Sequence, residues 1–584
     1  MGSISAANLE LIATLASHCL QRTTESVKQG QAVLQQAVQP LPSCFPPGPN
    51  GDVALDFARD PLECLASLKS RYGSLVGFKL ASRPIVLVSS PYGLYPCLIL
   101  KPAEFMSCKI SEVVLHRMIF VFSSRSLRCL ENFSREVFVT QSSTFIKAGT
   151  AFFPGSSLAG NGLLVSDGDI WKRQRRLSNP AFRRAAIQTY AEAMVNITEK
   201  MVDKVWRTGG VRDVYADFNE LTMEIVASAL FGASEASEEM AQVGPAITQA
   251  FQFFTRRATS MFIVPEWVPT FDNIQYNNAV TDLNKVVFRL INERRRQLAN
   301  SSAPPRKDLL TRLLHVTDED GSGMDNQSLR DELMTFLVAV PNLNSCAPGL
   351  DLVEDITCAS RTGFPELYPE NTGQETSAIL LTWALLMFAL HPHTQELVFQ
   401  EISEVLNGQL PRQTDVSKLR YLEAFIWETL RLMPPAYVVG RCACHPTELG
   451  GYKIPQGTTI LVSPYLLHQD PAFWPRVSEF DPSRWMPGGD ATEHMENDSF
   501  WPFGGGPRNC IGMGFAMMEV TLVLAVISSR FRVSLPVGEP IPSPRAMITL
   551  RPESEVKLRL TSRRQQRQRK SEAADEMKVI VCLN

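Results

Sequence analysis

The 584-residue sequence lacks any uninterrupted apolar run of the roughly 18–20 residues that a membrane-spanning helix needs. The longest such run, residues 378–390, is shorter and predicts a buried core helix. Cysteine is sparse, with 12 residues and no Cys-x-x-Cys pair, which excludes a disulfide scaffold and favours a reducing compartment. Excess charge of either sign is also lacking, since 57 basic and 60 acidic side chains leave a net charge of −3. That balance excludes a general nucleic-acid binder.

The sequence does have enough apolar content for a large core, at 45% hydrophobic residues. Apolar positions recur at helical spacing through most of the chain, and a few short runs read as strands. The predicted fold class is therefore mainly α with a minor β-rich lobe. The predicted helices cover 60–70, most of 171–313, 374–390, 394–406, 419–432 and 511–529, and the predicted strands lie near 75–80, 84–89, 451–455 and 458–462.

Residues 1–50 are interpreted as a leader that precedes the main domain, 51–562, and residues 563–584 as a basic tail. The leader lacks a basic n-region and carries Glu10 within its apolar stretch, so it is a poor secretory signal. Its Ser, Ala and Thr content is compatible with a transit peptide, whereas a surface amphipathic helix explains it equally well. The expected location is intracellular, in a plastid or at a membrane surface, without a transmembrane anchor.

The strongest chemical signal is the segment 503–512, F-G-G-G-P-R-N-C-I-G. Its glycines and proline predict a loop, and a helix begins just after Cys510. A cysteine at a helix N-terminus lies among unpaired N–H groups at the positive end of the dipole, which favours the thiolate. A thiolate serves as a nucleophile or as a metal ligand. We favour the metal ligand, since a buried structural cysteine would explain neither the glycines nor Arg508.

This segment resembles the haem-binding signature of the cytochrome P450 superfamily, F-x-x-G-x-R-x-C-x-G, at every fixed position: Phe503, Gly506, Arg508, Cys510 and Gly512. The resemblance implies a cytochrome P450 fold that binds haem b. It also implies that the Cys510 thiolate is the proximal iron ligand. Arg508 would pair with a haem propionate, and Phe503 and Gly512 would help to form the cofactor site.

Further P450-like elements occur in the order that the family has them. Glu428-Thr-Leu-Arg431 and the later Arg484 match a structural Glu–Arg–Arg triad, and Arg441 would reach a propionate. Alone, a Glu and an Arg three residues apart would suggest only a solvated ion pair. In the family such a triad is buried near the haem.

Two more elements belong to the implied haem pocket. Glu375 and Thr376 match the acid–alcohol pair that delivers protons during oxygen activation, and they are the predicted catalytic residues. Without the resemblance, such a pair in a helix would be unremarkable. Trp171 and Arg175 match a W-x-x-x-R element whose side chains contact haem propionates.

Two stretches depart from the family pattern. Residues 340–372 separate the two halves of the expected distal helix and contain four prolines, which an α-helix cannot hold. Residues 92–134 intervene where a strand is normally followed closely by a helix. We interpret both as insertions that arise from retained introns or gene-model errors.

The resemblance implies a haem-thiolate monooxygenase that inserts one atom of O₂ into an apolar small molecule, with a lipid or isoprenoid preferred. Electrons would come from a separate NADPH-dependent reductase or ferredoxin, and Lys172, Arg173 and Arg176 are candidates for docking it. A peripheral membrane contact is expected through the N-terminal segment and residues 261–267. The alternatives are a haem-thiolate peroxide isomerase or dehydratase, and a non-catalytic haem binder if the 340–372 insertion is real.

Overall fold

The structure, a computed structural model, is mainly helical with a small amount of β-sheet, as the sequence predicted. It describes residues 41, 44–91, 132–148, 150, 157–232, 246, 249, 250, 253, 266–300, 307–339, 376–491 and 498–563. The leader up to residue 40 and the tail from residue 564 lie outside the described residues.

The helices were predicted from apolar spacing, and most of the observed ones fall where that spacing placed them. Helix α3 continues directly as a π-helical segment, Glu136–Thr140. The helices are α1 (Ala54–Arg59), α2 (Pro61–Tyr72), α3 (Phe133–Arg135), α4 (Gly168–Ser178), α5 (Arg184–Ile187), α6 (Ala191–Lys204), α7 (Val214–Phe231), α8 (Phe271–Asn300), α9 (Leu309–His315), α10 (Asn326–Ala339), α11 (Thr376–Leu390), α12 (Pro392–Leu406), α13 (Arg420–Leu432), α14 (Pro464–Leu467) and α15 (Met513–Arg530).

The strands form one larger sheet and several small ones. The larger sheet has the order β1-β2-β8-β5-β3, in which β2 and β8 are parallel and the other neighbours antiparallel. The other sheets are β4-β12-β9 and the hairpins β6-β7 and β10-β11. The strands are β1 (Leu75–Leu80), β2 (Arg83–Val88), β3 (Phe145–Ile146), β4 (Gly210–Asp213), β5 (Val439–Ala443), β6 (Thr447–Leu449), β7 (Tyr452–Ile454), β8 (Thr459–Val462), β9 (Phe531–Ser534), β10 (Pro544–Ala546), β11 (Leu550–Pro552) and β12 (Lys557–Ser562).

Helix α11 lies at the centre of the helical core. Residues 377–388 are all buried, and the helix packs against α7, α13 and α15. A helix that is apolar on every side is stable only when it is surrounded by protein or lipid. Among the described helices, α15 alone is long and apolar enough to cross a membrane, and the sharply bent pair α11–α12 would count as a second span if it were continuous. Helices α11 and α15 are mostly buried within the protein, whereas α12 has one exposed face.

Strand β4 differs from the expectation that residues 171–313 are almost entirely helical. Helix α6 ends at Lys204, and Gly209 and Gly210 both have positive φ angles, at 65° and 94°. Glycine adopts this conformation without strain, so the chain can turn there. The residues that follow pair with strand β12, which is the last strand of the domain in the sequence.

Residues at the end of the first predicted insertion, 92–134, belong to the packed fold. The Asn132 side chain caps α3 by accepting from the Arg135 N–H at 2.9 Å. Phe133 and Ser134 are buried, and the Ser134 hydroxyl donates to the Asp498 carbonyl at 3.1 Å. Residues 132–134 therefore belong to the fold, and residues 92–131 lie outside the described residues.

Arg563, predicted as the first residue of the tail, is also part of the domain. Its side chain is buried, lies over the Phe399 ring at 3.6 Å and pairs with Glu396 at 3.1 Å. The domain therefore extends to this residue.

Candidate functional site

The loop before α15 presents Cys510 in a fixed backbone conformation. The Cys510 N–H donates to the Phe503 carbonyl at 2.9 Å, which closes the loop on itself. Gly506 has a φ of 65°, and a Cβ there would lie 1.9 Å from the Phe138 carbonyl oxygen. Only glycine fits so close to another backbone. The glycines that the sequence singled out thus let the loop pack tightly against the π-helical segment after α3.

Cys510 is exposed, although nearby protein atoms remove part of the water around its thiol. Burial raises the pKa of the Cys510 thiol, whereas N–H groups of Gly512 and Met513 and the charges of Arg175 and Lys147 lower it. A metal ion that binds such a sulfur displaces its proton, because the ion is then the dominant local charge. The exposed Cys510 sulfur, with N–H groups and cations that stabilise its thiolate, is therefore suited to bind a metal ion from the solvent side.

Arg508 connects the cysteine loop to the start of helix α4. Its guanidinium forms an ion pair with Asp167, donates to the Ser166 carbonyl at 2.9 Å, and lies over the Trp171 ring at 4.4 Å. Asp167 precedes α4 but does not cap it. Its carboxylate instead accepts the Lys147 N–H at 3.1 Å. Arg508 and Trp171, predicted separately, therefore lie together.

Lys147 and Arg441 complete a cationic cluster around Asp167. Burial, followed by the charge of Arg508, lowers the pKa of Arg441 to about 10. Burial, followed by the charges of Arg441 and Arg508, lowers the pKa of Lys147 to about 7. Like charges that are gathered and partly desolvated need counter-charges. The two propionates of a haem would supply them, so the residues present fit this group.

Sequence reasoning missed Lys147 and Asp167. Lys147 follows the two-residue strand β3, and no local pattern links it to a cysteine more than 360 residues later in the chain. For Asp167, the available signal was its position directly before the helix that carries Trp171, one of the predicted site residues.

Arg175 makes its observed contacts with the cysteine loop. Its Nη1 donates to the Asn509 carbonyl at 2.8 Å, and its Nη2 donates to the Asn509 side-chain oxygen at 2.9 Å. The guanidinium thus holds the peptide directly before Cys510. The propionate contact implied for Arg175 stays a prediction.

The Glu–Arg–Arg triad is formed and buried, as the resemblance implied. Glu428 and Arg431 are fully buried and joined by two bonds of 2.9 Å, and Arg484 Nε lies 3.4 Å from the same carboxylate. Trp485 Nε1 also donates to Glu428 at 2.9 Å. The Trp485 ring also packs against Phe500, which precedes the cysteine loop, at 4.6 Å.

Thr376 is exposed and is the first residue of α11. Its neighbour Ser377 interacts with Glu519 of α15, the helix that follows Cys510. Thr376 therefore lies at a helix end beside the helix that carries the site. Glu375, the other predicted catalytic residue, and the insertion 340–372 lie outside the described residues.

The basic residues proposed for partner docking have intramolecular partners. Arg173 and Arg176 both pair with Asp318, and Lys172 pairs with Asp169 at 3.1 Å. The two arginines thus join α4 to the loop between α9 and α10.

The comparisons with known proteins agree on one family. The family model described as Cytochrome P450 matches residues 128–342 and 371–560. The chain is 31% identical to the cyclooctatin synthase of Streptomyces melanosporofaciens, over 85% of this chain and 91% of that protein. It is 30% identical to the pentalenene oxygenase of Streptomyces avermitilis, over 79% of this chain and 93% of that protein. The retinoic acid-bound cyanobacterial CYP120A1 shares its fold, with a TM-score of 0.66, 20% identity, and coverage of 89% of this chain and 99% of that one.

The chain therefore belongs to the cytochrome P450 family. It is a haem-thiolate monooxygenase that binds haem b and acts on a small molecule with electrons from a redox partner. The predicted fold, enzyme class and cofactor are thereby confirmed.

Proposed function

We propose that the protein hydroxylates a terpenoid or related isoprenoid substrate. One atom of O₂ enters the substrate, and the other leaves as water with two protons and two electrons. NADPH supplies the electrons through a separate reductase or ferredoxin. The support is similarity, since the relatives named cyclooctatin synthase and pentalenene oxygenase align over most of the chain, and P450 relatives act on terpenoids and lipids.

In this proposal Cys510 ligates the iron, and Lys147, Arg441 and Arg508 hold the propionates. When bound, the haem supplies oxygen activation and electron transfer. Trp171 orients the Arg508 guanidinium and Arg175 holds the Cys510 loop, while Phe503 and Gly512 shape the loop backbone around the sulfur. Thr376, together with Glu375, would deliver the protons that oxygen activation requires.

The accessible Cys510 sulfur beside a cluster of three cations carries the haem-thiolate part of this proposal. The test is the carbon monoxide difference spectrum of the reduced protein, measured on the full chain and on a version that lacks residues 340–372. Thiolate ligation gives a strongly red-shifted Soret band, and a Cys510→Ser variant should lack it. A band in the shortened version alone would mean that the inserted stretch prevents assembly. No band in either version would overturn the proposal.

The monooxygenase is preferred to a peroxide isomerase or dehydratase because Thr376 is available for proton delivery. A Thr376→Ala variant should consume NADPH and oxygen but release more peroxide, so that product formed per NADPH falls several-fold. Thr382→Ala in the same helix is the control, because its hydroxyl donates to the Ala378 carbonyl at 2.7 Å. Product formation that needs no NADPH and is unaltered in the Thr376 variant would favour the isomerase or dehydratase and overturn this preference.

We also propose that residues 92–131 and 340–372 are remnants of introns or errors in the gene model. The support is that the family match skips residues 343–370, which are most of the second stretch, and that it begins at residue 128, so that all but the last four residues of the first stretch lie outside it. Mature transcripts that contain both stretches would contradict this. If the second stretch is retained and NADPH-dependent turnover is absent despite normal haem content, the protein is a haem binder without this activity.

For location, we propose contact with a membrane surface through Trp267, Phe271 and Ile274. Their exposed fractions are 51%, 75% and 48%, and exposed large apolar side chains close together are typical of membrane or protein contacts. Phe271→Ser should weaken vesicle binding, whereas Val537→Ser, at another fully exposed site, should not. Equal vesicle binding by both variants would contradict the contact.

A further inference from the structure

One buried histidine joins the Glu–Arg–Arg network to the cysteine loop. His468 follows helix α14 and is fully buried. Its backbone carbonyl accepts from Arg431 Nη1 at 3.2 Å. Its ring Nε2 accepts the backbone N–H of Trp501 at 2.9 Å. The same residue thus binds the ion-pair network with its main chain and the approach to the loop with its side chain.

Trp501 begins the segment that ends at Cys510. Its carbonyl accepts the Gly504 N–H at 3.1 Å, and two residues after Trp501 the Phe503 carbonyl accepts the Cys510 N–H at 2.9 Å. The Trp501 indole is held separately, by Ser134 and by the Asp498 carbonyl. The backbone N–H to which His468 bonds is therefore a fixed point at the start of the haem-ligand loop.

We propose that His468 is a positioning residue that holds the Cys510 loop in register with the buried Glu428–Arg431 pair. This inference rests on the proposed thiolate ligation by Cys510. It assigns to His468 a role that none of the sequence motifs described above suggested.

The role requires a neutral ring. Nε2 accepts a hydrogen bond only when it is unprotonated, so the ring proton lies on Nδ1. Burial, followed by the charge of Arg431, lowers the pKa of His468 to about 3, although the backbone of Leu430 and Arg431 acts in the opposite direction. The Phe500 ring packs against the imidazole at 4.6 Å. The ring nitrogen Nε2 accepts the Trp501 N–H at 2.9 Å, while the other side of the ring faces the backbone of Leu430 and Arg431.

Two substitutions separate the acceptor from the packing. His468→Phe keeps an aromatic ring beside Phe500 but removes the acceptor, whereas His468→Gln supplies a side-chain oxygen at similar reach. The test measures, in the haem-loaded full chain, how fast the red-shifted carbon monoxide band is lost in mild denaturant. We expect at least a ~10-fold faster loss for His468→Phe, which corresponds to one hydrogen bond of ordinary net strength. His468→Gln should restore most of the difference.

A matched control excludes a purely structural effect. Gln395 is buried in the same core and donates to the Phe388 and Val533 carbonyls, away from the loop. Gln395→Leu should lower the melting temperature. When this variant and the parent are compared at denaturant concentrations that unfold the same fraction of each, both should lose the red-shifted band at the same rate. If Gln395→Leu and His468→Phe shorten the band's lifetime equally, the proposal is wrong.

Hydrogen exchange provides a readout that needs no haem. The Trp501 amide should exchange faster in His468→Phe than in His468→Gln, while the amides of helix α13 exchange alike in both. Equal protection of Trp501 in the two variants would overturn the positioning role. Failure of the proposed function is distinguishable, because the parent protein would then lack the red-shifted band altogether.

Discussion

The guanidinium carbon of Arg508 lies 4.4 Å from the centre of the Trp171 ring. This cation–π contact joins the loop of Cys510 to helix α4, two elements more than 330 residues apart in the chain. The ring fixes the guanidinium and Asp167 neutralises part of its charge, so Arg508 is preorganised to bind a further carboxylate beside the cysteine.

Arg508→Leu should therefore weaken haem binding. The substitution removes a mostly buried charge that would bond to a propionate, and such bonds contribute about 1.5–3 kcal/mol, or roughly a 10- to 100-fold change in affinity. Haem transfer to an acceptor protein measures this loss. Arg176→Leu is the control, because Arg176 is on α4 but pairs with Asp318. Equal haem release by the two variants would contradict the role of Arg508.

Lys147→Gln should release haem faster than the parent, although less than Arg508→Leu does. Lys147 is half-buried, and it lies in the fields of Arg441 and Arg508. A propionate relieves that repulsion, so removal of Lys147 has two opposing effects, the loss of one attraction and the loss of one repulsion. We expect about a 3- to 10-fold increase in the release rate. Lys172→Gln, an exposed change, should leave the rate unaltered. An unaltered rate for Lys147→Gln would contradict the prediction that its attraction for a propionate outweighs its repulsion with Arg441 and Arg508.

The cysteine loop and the triad were predictable because the family resemblance that implies them rests on short motifs. The spacing of Gly506, Arg508 and Cys510 is set by one short loop, and Glu428 and Arg431 share one turn of a helix. Lys147 and His468 had no such signal. Lys147 reaches the site because strand β3 pairs with β5, and β5 carries Arg441. Such neighbours depend on how distant strands pair, which a single sequence does not specify.

Glu428→Gln should destabilise the whole domain. It leaves the buried guanidiniums of Arg431 and Arg484 without their shared carboxylate, and breaking a buried ion pair from one side costs about 3–5 kcal/mol. Chemical denaturation with far-UV circular dichroism gives the free energy of unfolding. Glu479→Gln breaks an exposed pair with Arg476 and should change it little. Similar values for the two variants would show that the triad does not stabilise the fold.

Glu332→Gln should flatten the pH dependence of stability. Glu332 is buried on α10 and accepts the Leu163 N–H at 3.1 Å, and burial raises its pKa from 4.5 to about 8. The folded protein therefore holds this proton more tightly than the unfolded chain does. The resulting stability is complete below about pH 4.5 and is lost as the pH rises toward 8.

The difference in unfolding free energy between the parent and the Glu332→Gln variant isolates this effect. Glu519, whose pKa burial also raises to about 8, is present in both proteins and cancels. The substituted amide keeps an acceptor for the Leu163 N–H and carries no charge. Between pH 5 and pH 8 the free energy of unfolding of the variant should therefore rise relative to that of the parent by about 1–3 kcal/mol. Parallel pH curves would mean that Glu332 is ionised without penalty in the folded protein, and that α10 and the loop before α4 are held together by a charged carboxylate.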